Sequence, residues 1–319
     1  MKRSWQSYGL RFGLLFFVAL IPLVIYFASA SPVSDNLKEI AQRTAREYDR
    51  LLRLRQQQVF TFAAFPSLRA FAASTPETRT QRAAVALNEL QSLVASDTGV
   101  REAFMVDTNG KIIMTTLDGW DGDVSARQFV QDALRGQLVV SPVAFDRNEY
   151  SIYYAAPVLN NSGDVAGALV LRAAAQELWD VLPRGENWYT VLTDENGVRL
   201  DDTGDPARRL FAFGALDAAR ATQISRAQMY GAQMPQMRAT NMERVQQLVT
   251  QGAFDQLRAS DFNADAFAYQ RLASKPWTVL AIAPQPAWSE LVSRFALPLF
   301  AAFLLALGGA FLFSKWNAR

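Results

Sequence analysis

The chain has 319 residues, half of them hydrophobic, with a formal net charge of +2 and neither cysteine nor histidine. The missing residue types exclude Ser-His-Asp triads, cysteine nucleophiles and the usual zinc sites. The small net charge gives no indication of nucleic-acid binding. Because no acid–base pair in a predicted pocket replaces them, we predict a protein that is not an enzyme and has no cofactor.

Two apolar runs lie near the ends of the chain. Residues 12–30 and 295–313 contain no charged residue, and a helix of that length crosses about 28 Å, which matches a hydrocarbon core. Both are predicted to be transmembrane helices. Basic residues lie in both short tails, so the positive-inside rule places residues 1–11 and 314–319 in the cytoplasm. Residues 31–290 are then periplasmic, at a bacterial inner membrane. A cleaved signal peptide ending at Ala28-Ser-Ala30 is the alternative for the first run.

Residues 31–96 are predicted to form a stalk helix and a second helix. Asn36 with Glu39 is typical of a capped helix start, and apolar residues then recur at intervals of three and four among many charged ones. Pro66 ends or bends the stalk, and the second helix covers about 80–96. Such a stalk can pack on its own domain or on a second copy, and a homodimer through it is predicted.

Two similar hairpins indicate an internal repeat. Asp107-Thr-Asn109-Gly110 and Asp194-Glu-Asn196-Gly197 each join apolar strands and lie 87 residues apart. In both, Asn and Gly suit the positive φ angles of a tight turn. We therefore predict two tandem subdomains, called distal (97–183) and proximal (184–290) by their expected distance from the membrane. A helical insertion at about 205–259 is expected to cover the proximal sheet.

This order of elements resembles the double Cache family, the extracytoplasmic sensor domains of bacterial chemoreceptors and sensor kinases. The likeness is carried by Phe104-Met-Val-Asp107, Arg127-Gln-Phe-Val-Gln-Asp-Ala-Leu, Tyr154-Ala-Ala-Pro157 and Trp277-Thr-Val-Leu. It implies an α+β fold with two PAS-like antiparallel sheets on a long N-terminal helix, between two transmembrane helices. It also implies a small ligand in the distal subdomain and a role in signal transduction such as chemotaxis.

The resemblance also implies site residues. In the amino-acid-binding group of this family, an Arg before the pocket helix takes the ligand carboxylate, and an Asp on the last distal strand takes the ammonium. Arg127 matches the first position, whereas Arg172 stands at the second. Two guanidinium groups favour a ligand with one or two carboxylates, or a phosphate, and disfavour an amino acid. The predicted ligand-binding residues are Arg127, Phe129, Tyr150, Tyr154, Arg172 and Trp120.

Alternatives remain open for several of these residues. Arg127 could instead pair with Asp121 or Asp123 at the surface, and a shift of one residue in strand register would turn Arg172 to the outer face. Trp120 could be a lid over the pocket or part of loop packing. Four methionines, Met229, Met234, Met237 and Met242, could ligate Cu(I), although an adaptable apolar face is the better interpretation and no metal site is predicted.

The predicted function is extracytoplasmic sensing of a small molecule. The short tails hold no output domain, so the chain is either the input half of a receptor or acts through a separate signalling partner in the membrane. The alternative function is a structural or assembly subunit of the membrane that keeps the fold and binds no ligand.

Overall fold

A computed structural model of the chain describes residues 35–117, 123–231 and 238–285. Both predicted transmembrane helices lie outside these ranges. Among the residues described, no helix is both long enough and apolar enough to cross a membrane.

Three helices come first. Helix α1 occupies residues 35–63, followed by α2 (Pro66–Ala72) and α3 (Pro76–Ser96). Proline opens both later helices, where its missing N–H costs no hydrogen bond. The buried positions of α1 follow the helical repeat and form one apolar stripe, at Leu37, Ala41, Ala45, Tyr48 and Leu52.

The distal sheet is antiparallel and contains six strands. In chain order its elements are β1 (Val100–Val106), β2 (Ile112–Thr115), α4 (Gln128–Leu134), β3 (Val139–Val140), β4 (Ala144–Asp146), β5 (Glu149–Leu159) and β6 (Val165–Ala174). The strands lie in the order β2-β1-β6-β5-β3, and β4 also pairs with β5. Helices α1, α2 and α3 cover one face of this sheet, while α4 covers the other.

The proximal sheet has four strands. After a short helix α5 (Gln176–Trp179), it contains β7 (Tyr189–Thr193), β8 (Arg199–Asp202), β9 (Ala264–Arg271) and β10 (Thr278–Pro284), in the order β8-β7-β10-β9. Helices α6 (Ala218–Arg226) and α7 (Glu243–Thr250) lie between β8 and β9, together with three short 3₁₀ helices. Helix α7 packs on one face of the sheet with Val245, Leu248 and Val249 buried.

The first hairpin turn of each sheet has the same hydrogen bonds. Asp107 accepts hydrogen bonds from the amides of Asn109 and Lys111, and Asp194 accepts the equivalent bonds from Asn196 and Val198. In both turns the glycine takes the positive φ angle, 80° and 71°, and the asparagine does not. Each turn therefore needs its Asp as acceptor and its Gly as the left-handed residue.

Polar contacts fix α1 to both subdomains. The Asp49 carboxylate accepts hydrogen bonds from the amide (2.8 Å) and the hydroxyl (2.5 Å) of Ser274, in the turn between β9 and β10. One turn and a half further along, Arg55 pairs with Asp97 and with Glu177, the latter at 2.7 Å. A movement of α1 would therefore change contacts in both subdomains.

The mixed α/β architecture, the two antiparallel sheets and the long N-terminal helix confirm the predicted fold class for the described part of the chain.

Candidate ligand-binding site

The face of the distal sheet beneath α4 holds the candidate site. Side chains from β1, β4, β5, β6 and α4 form a separate apolar cluster there, which we call the α4 core. Its larger members are Phe104, Phe129, Val130, Tyr153 and Val170. The neighbouring positions on this face are polar and buried, so the α4 core borders a group of ionisable side chains.

Arg127 lies at the start of α4 and points into this group. It is the residue immediately before the first helical turn, with an extended backbone, and only 7% of it is exposed. Its Nη2 donates to Asp146 Oδ1 at 2.6 Å, and its Nη1 donates to the carbonyl of Gln228 at 3.2 Å. The partner is therefore Asp146 on β4, and the position is buried instead of on the surface.

Tyr153 and Phe129 form an aromatic wall beside Arg127. Their rings stack with centroids 4.7 Å apart and planes 8° from parallel. The Tyr153 hydroxyl donates to Asp146 Oδ2 at 3.0 Å, and the Arg127 guanidinium lies 5.8 Å from the Tyr153 ring centre. Burial, followed by the negative charge of Asp146, raises the pKa of Tyr153, so the hydroxyl stays protonated and acts as a donor.

Arg172 faces the same side, at the other end of the group. Its Nε donates to Ser151 Oγ at 2.9 Å, and its Nη2 donates to Glu149 at 2.9 Å. Glu102, which has no exposed surface, lies 3.9 Å from Arg172 Nη1 and accepts a hydrogen bond from Thr115. Burial raises the pKa of Glu102. Arg172 therefore lies among carboxylates that offset its charge.

These carboxylates affect which ligand charge the site can accept. Asp146 and Glu102 share the face with Arg127 and Arg172, and the sequence prediction included neither acid. The arginine at position 172 therefore does not by itself exclude an ammonium group from this face.

Tyr150 and Tyr154 lie on the opposite face, which corrects their predicted placement beside Arg127. The Tyr154 hydroxyl donates to Glu177 Oε1 at 3.1 Å, beneath the stalk, and Tyr150 packs edge-on against Trp179. Adjacent strand residues alternate between faces, so Tyr153 takes the place beneath α4.

Trp120 lies outside the described residues, as do Met234 and Met237. The structure separates the other two methionines of that group. Met229 packs against the main core, whereas Met242 joins the core beneath α7, where its sulfur accepts from Arg199 at 3.3 Å.

The proximal sheet has its own buried ion pair. Arg199 Nε lies 3.5 Å from Asp202, and its guanidinium stacks 4.2 Å from the Phe213 ring centre. Burial lowers the pKa of Arg199 to about 10 and raises that of Asp202. A cleft of about 400 Å³ opens beside Tyr189 and Asp202 at the end of this sheet.

Two antiparallel sheets packed along one long N-terminal helix form a fold that solved sensor domains share. The sensor domain of the histidine kinase DctB from V. cholerae matches with a TM-score of 0.54 and 13% identity, covering 84% of this chain and 99% of that one. The ligand-binding domain of the chemoreceptor Tlp3 from Campylobacter jejuni, in complex with 4-methylisoleucine, matches with a TM-score of 0.50 and 13% identity over 81% and 95% of the two chains.

An extracellular ligand-binding receptor from Desulfohalobium retbaense has a TM-score of 0.50 and 11% identity, with 78% of this chain and 40% of that one covered. No protein-family model and no curated protein sequence matches the chain. The structural matches confirm the resemblance to Cache sensors at the level of the fold.

The predicted ligand-binding residues did not include Asp146, Tyr153, Glu102 and Gln228. Tyr153 pairs directly with Arg172 across the two central strands, so the correct register alone would have selected it. Asp146 precedes a two-residue turn, Arg147-Asn148, whose positive φ angles mark a tight hairpin. Gln228 is a hundred residues away in the chain, and no local signal connects it to Arg127.

Proposed function

We propose that the chain is the ligand-binding input of a transmembrane sensor, with its distal subdomain outside the cytoplasm. The observation that carries this proposal is the buried Arg127 at the start of α4, set against an aromatic wall on the face of a sensor-type sheet. Sensor and ligand-binding domains of receptors and kinases share the fold, which supports a sensing role over catalysis.

The ligand we propose is a small carboxylate. Of the five guanidinium N–H groups of Arg127, one meets Asp146 and one meets the Gln228 carbonyl. A carboxylate is a better acceptor than a neutral carbonyl and suits the planar fork of arginine. The ring of Tyr153 and that of Phe129 then provide an apolar surface for the rest of the ligand. Whether an amine accompanies the carboxylate depends on Asp146 and Glu102, the buried acids that lie on the same face as the two arginines.

Signal transmission is proposed to pass through α1 and the proximal subdomain. Asp49 connects α1 to the turn at Ser274, and Arg55 connects it to the distal subdomain. A second copy of the chain is proposed to pack along the stalk, where Leu54 and Phe60 are large apolar side chains that are 60% and 56% exposed.

The rival is a structural or assembly subunit that binds no ligand. It is favoured by one observation, that the site's own residues satisfy one another: Arg127 with Asp146, and Arg172 with Glu149 and Ser151. A ligand has to compete with these contacts.

A thermal-shift screen of the full-length chain separates the two functions. The panel comprises monocarboxylates from acetate to butyrate, dicarboxylates from malonate to glutarate, amino acids, amines and purines. The proposal predicts that one or more carboxylates raise the unfolding temperature in a concentration-dependent way, because a ligand that binds only the folded state stabilises it. If no carboxylate shifts the transition, the sensor proposal is wrong in its ligand class, and a uniformly flat panel favours the structural subunit.

A further inference from the structure

A short segment of the proximal subdomain contacts the candidate site of the distal one. This segment, residues 227–231, follows α6 and is called the strap. It forms a turn, with positive φ angles of 45° at Gln228 and 103° at Gly231. The Gly231 amide donates back to the Gln228 carbonyl at 3.1 Å, which holds the strap in a compact loop.

Three carbonyls of the strap accept hydrogen bonds from the distal subdomain. The Ala227 carbonyl accepts from the amide of Gln128 at 3.3 Å, in the first turn of α4, and the Tyr230 carbonyl accepts from the amide of Phe145 on β4 at 2.9 Å. Between them, the Gln228 carbonyl accepts from Arg127 Nη1 at 3.2 Å. The strap therefore touches both elements that hold the proposed ligand anchor.

The strap lies close against β4 at its far end. A Cβ atom at Gly231 would lie 2.2 Å from the backbone oxygen of Phe145, so only glycine fits there, and the positive φ angle at Gly231 requires glycine as well. Phe145 immediately precedes Asp146, the carboxylate that holds Arg127. The strap therefore packs against the backbone of Phe145, the residue next to Asp146, so a movement of the strap would also displace Asp146.

Tyr230 fastens the strap to the proximal sheet. Its side chain is 1% exposed, and its hydroxyl donates to Asp194 Oδ2 and accepts from Asn196 Nδ2, the latter at 2.9 Å. Asp194 is the residue that closes the second Asp-x-Asn-Gly turn. One continuous set of hydrogen bonds therefore runs from Arg127, through the strap, to the first hairpin of the proximal sheet.

We propose that the strap competes with the ligand for Arg127, so that Gln228 and Tyr230 are positioning residues of the distal site, supplied by the proximal subdomain. This inference rests on the proposed function, because it takes a carboxylate at Arg127 as its starting point. The ligand carboxylate replaces the Gln228 carbonyl on Nη1, which detaches the strap from α4 and alters the Asp194 turn through Tyr230. In the free protein the strap is hydrogen-bonded to the Arg127 guanidinium. Only molecules with a detached strap can bind the ligand there, so the apparent affinity falls as the attached fraction rises.

The competition predicts an unusual sign for one substitution. Tyr230→Phe keeps the ring and removes both hydroxyl hydrogen bonds, so the strap detaches more easily and the ligand binds more tightly. We expect an affinity gain of about fivefold or more, because two buried hydrogen bonds that favour the competing state are lost. A purely structural tyrosine would give unchanged or weaker binding together with lower thermal stability.

The test is isothermal titration of the full-length chain with the tightest-binding carboxylate of the panel above, for wild type, Tyr230→Phe, Arg127→Lys and Tyr48→Phe. Tyr48→Phe is the matched control, since it removes a buried hydroxyl that donates to the Leu178 carbonyl beneath the stalk, away from the strap. Its affinity should stay within about twofold of wild type, a range that fits the loss of a distant hydrogen bond. In parallel, hydrogen exchange of the Phe145 amide without ligand reports whether the strap is attached.

The outcomes separate the two proposals. Tighter binding and faster Phe145 exchange in Tyr230→Phe support the strap competition. Equal or weaker binding in Tyr230→Phe, with Arg127→Lys still impaired, overturns the competition and leaves the ligand site in place. Unimpaired binding by Arg127→Lys overturns Arg127 as the ligand anchor, and no binding of any carboxylate by wild type overturns the proposed ligand class. Either result overturns the competition as well.

Discussion

Replacement of Arg55 tests how firmly the stalk helix is fixed to the distal subdomain. The Arg55 guanidinium donates to Glu177 at 3.0 and 2.7 Å, to Gln58 at 2.8 Å and to Asp97, and only 10% of its side chain is exposed. Arg55→Met removes the partner of two carboxylates and leaves Glu177, with a side chain only 14% exposed, buried without a counter-charge.

The expected loss is about 3–4 kcal/mol of unfolding free energy, the range for breaking a buried ion pair by removing one partner. For a chain of this size that corresponds to a fall of roughly 5 °C in unfolding temperature, because the entropy of unfolding grows with chain length. Arg55→Lys keeps the charge but cannot reach both carboxylates in fork geometry, so it should lie about midway between Arg55→Met and wild type. Differential scanning calorimetry or denaturant unfolding of the full-length chain measures the difference.

Arg43→Ala is the matched control on the same helix. Arg43 pairs with Glu47 at 3.7 Å, but the two side chains are 71% and 53% exposed, so the loss should stay below about 0.5 kcal/mol. If Arg55→Met destabilises the chain no more than Arg43→Ala does, the Arg55 cluster contributes nothing beyond a surface ion pair and the reasoning is refuted.

Three further predictions concern stability and assembly. The hydrogen bond from Arg55 lowers the pKa of Asp97 from 3.8 to about 2. The ionised Asp97 therefore stabilises the folded chain at pH values above its unfolded pKa. About 1–2 kcal/mol of unfolding free energy, discounted for the partial exposure of Asp97, should be lost as the pH falls from about 4 to 2. A pH titration of stability that is no steeper in wild type than in Arg55→Met would contradict this. Gly167→Ala should destabilise the distal sheet by about 2 kcal/mol or more in denaturant unfolding, because the new Cβ would lie 2.3 Å from the Val106 backbone oxygen. If the variant is as stable as wild type, the two strands can move apart at no cost in free energy. Leu54→Glu should weaken self-association measured by light scattering, and an unchanged mass would rule out a dimer through this part of the stalk.

The fold could be predicted because its signals are local. The two Asp-x-Asn-Gly turns carry their own acceptor and their own left-handed residue, so each specifies a hairpin without help from the rest of the chain. The amphipathic repeat of α1 likewise marks its buried stripe. These features lie at short sequence separation, so they can be recognised without knowing which distant segments of the chain are in contact.

The site could be predicted only in part, because its details depend on register and on distant partners. Strand β5 is buried on both faces, so alternation of polarity does not reveal that Tyr153 faces α4 while Tyr150 and Tyr154 face the stalk. Arg127 was predicted from the resemblance to the double Cache family, in which an Arg precedes the pocket helix. Its acceptor Gln228 comes from an insertion in the other subdomain, which only the folded chain brings near.

The measurement that tests the central claim most directly is the affinity of the full-length chain for its best carboxylate, compared between Arg127→Lys and Arg135→Ala. Both arginines belong to the α4 segment, but the Arg127 side chain is 8% exposed, whereas that of Arg135 is 60% exposed and pairs with Asp132. Lysine retains the charge and loses the forked hydrogen bonds, so Arg127→Lys should weaken binding about tenfold or more, while Arg135→Ala stays within about twofold of wild type. Equal affinities in the two variants would contradict the assignment of Arg127 as the ligand anchor.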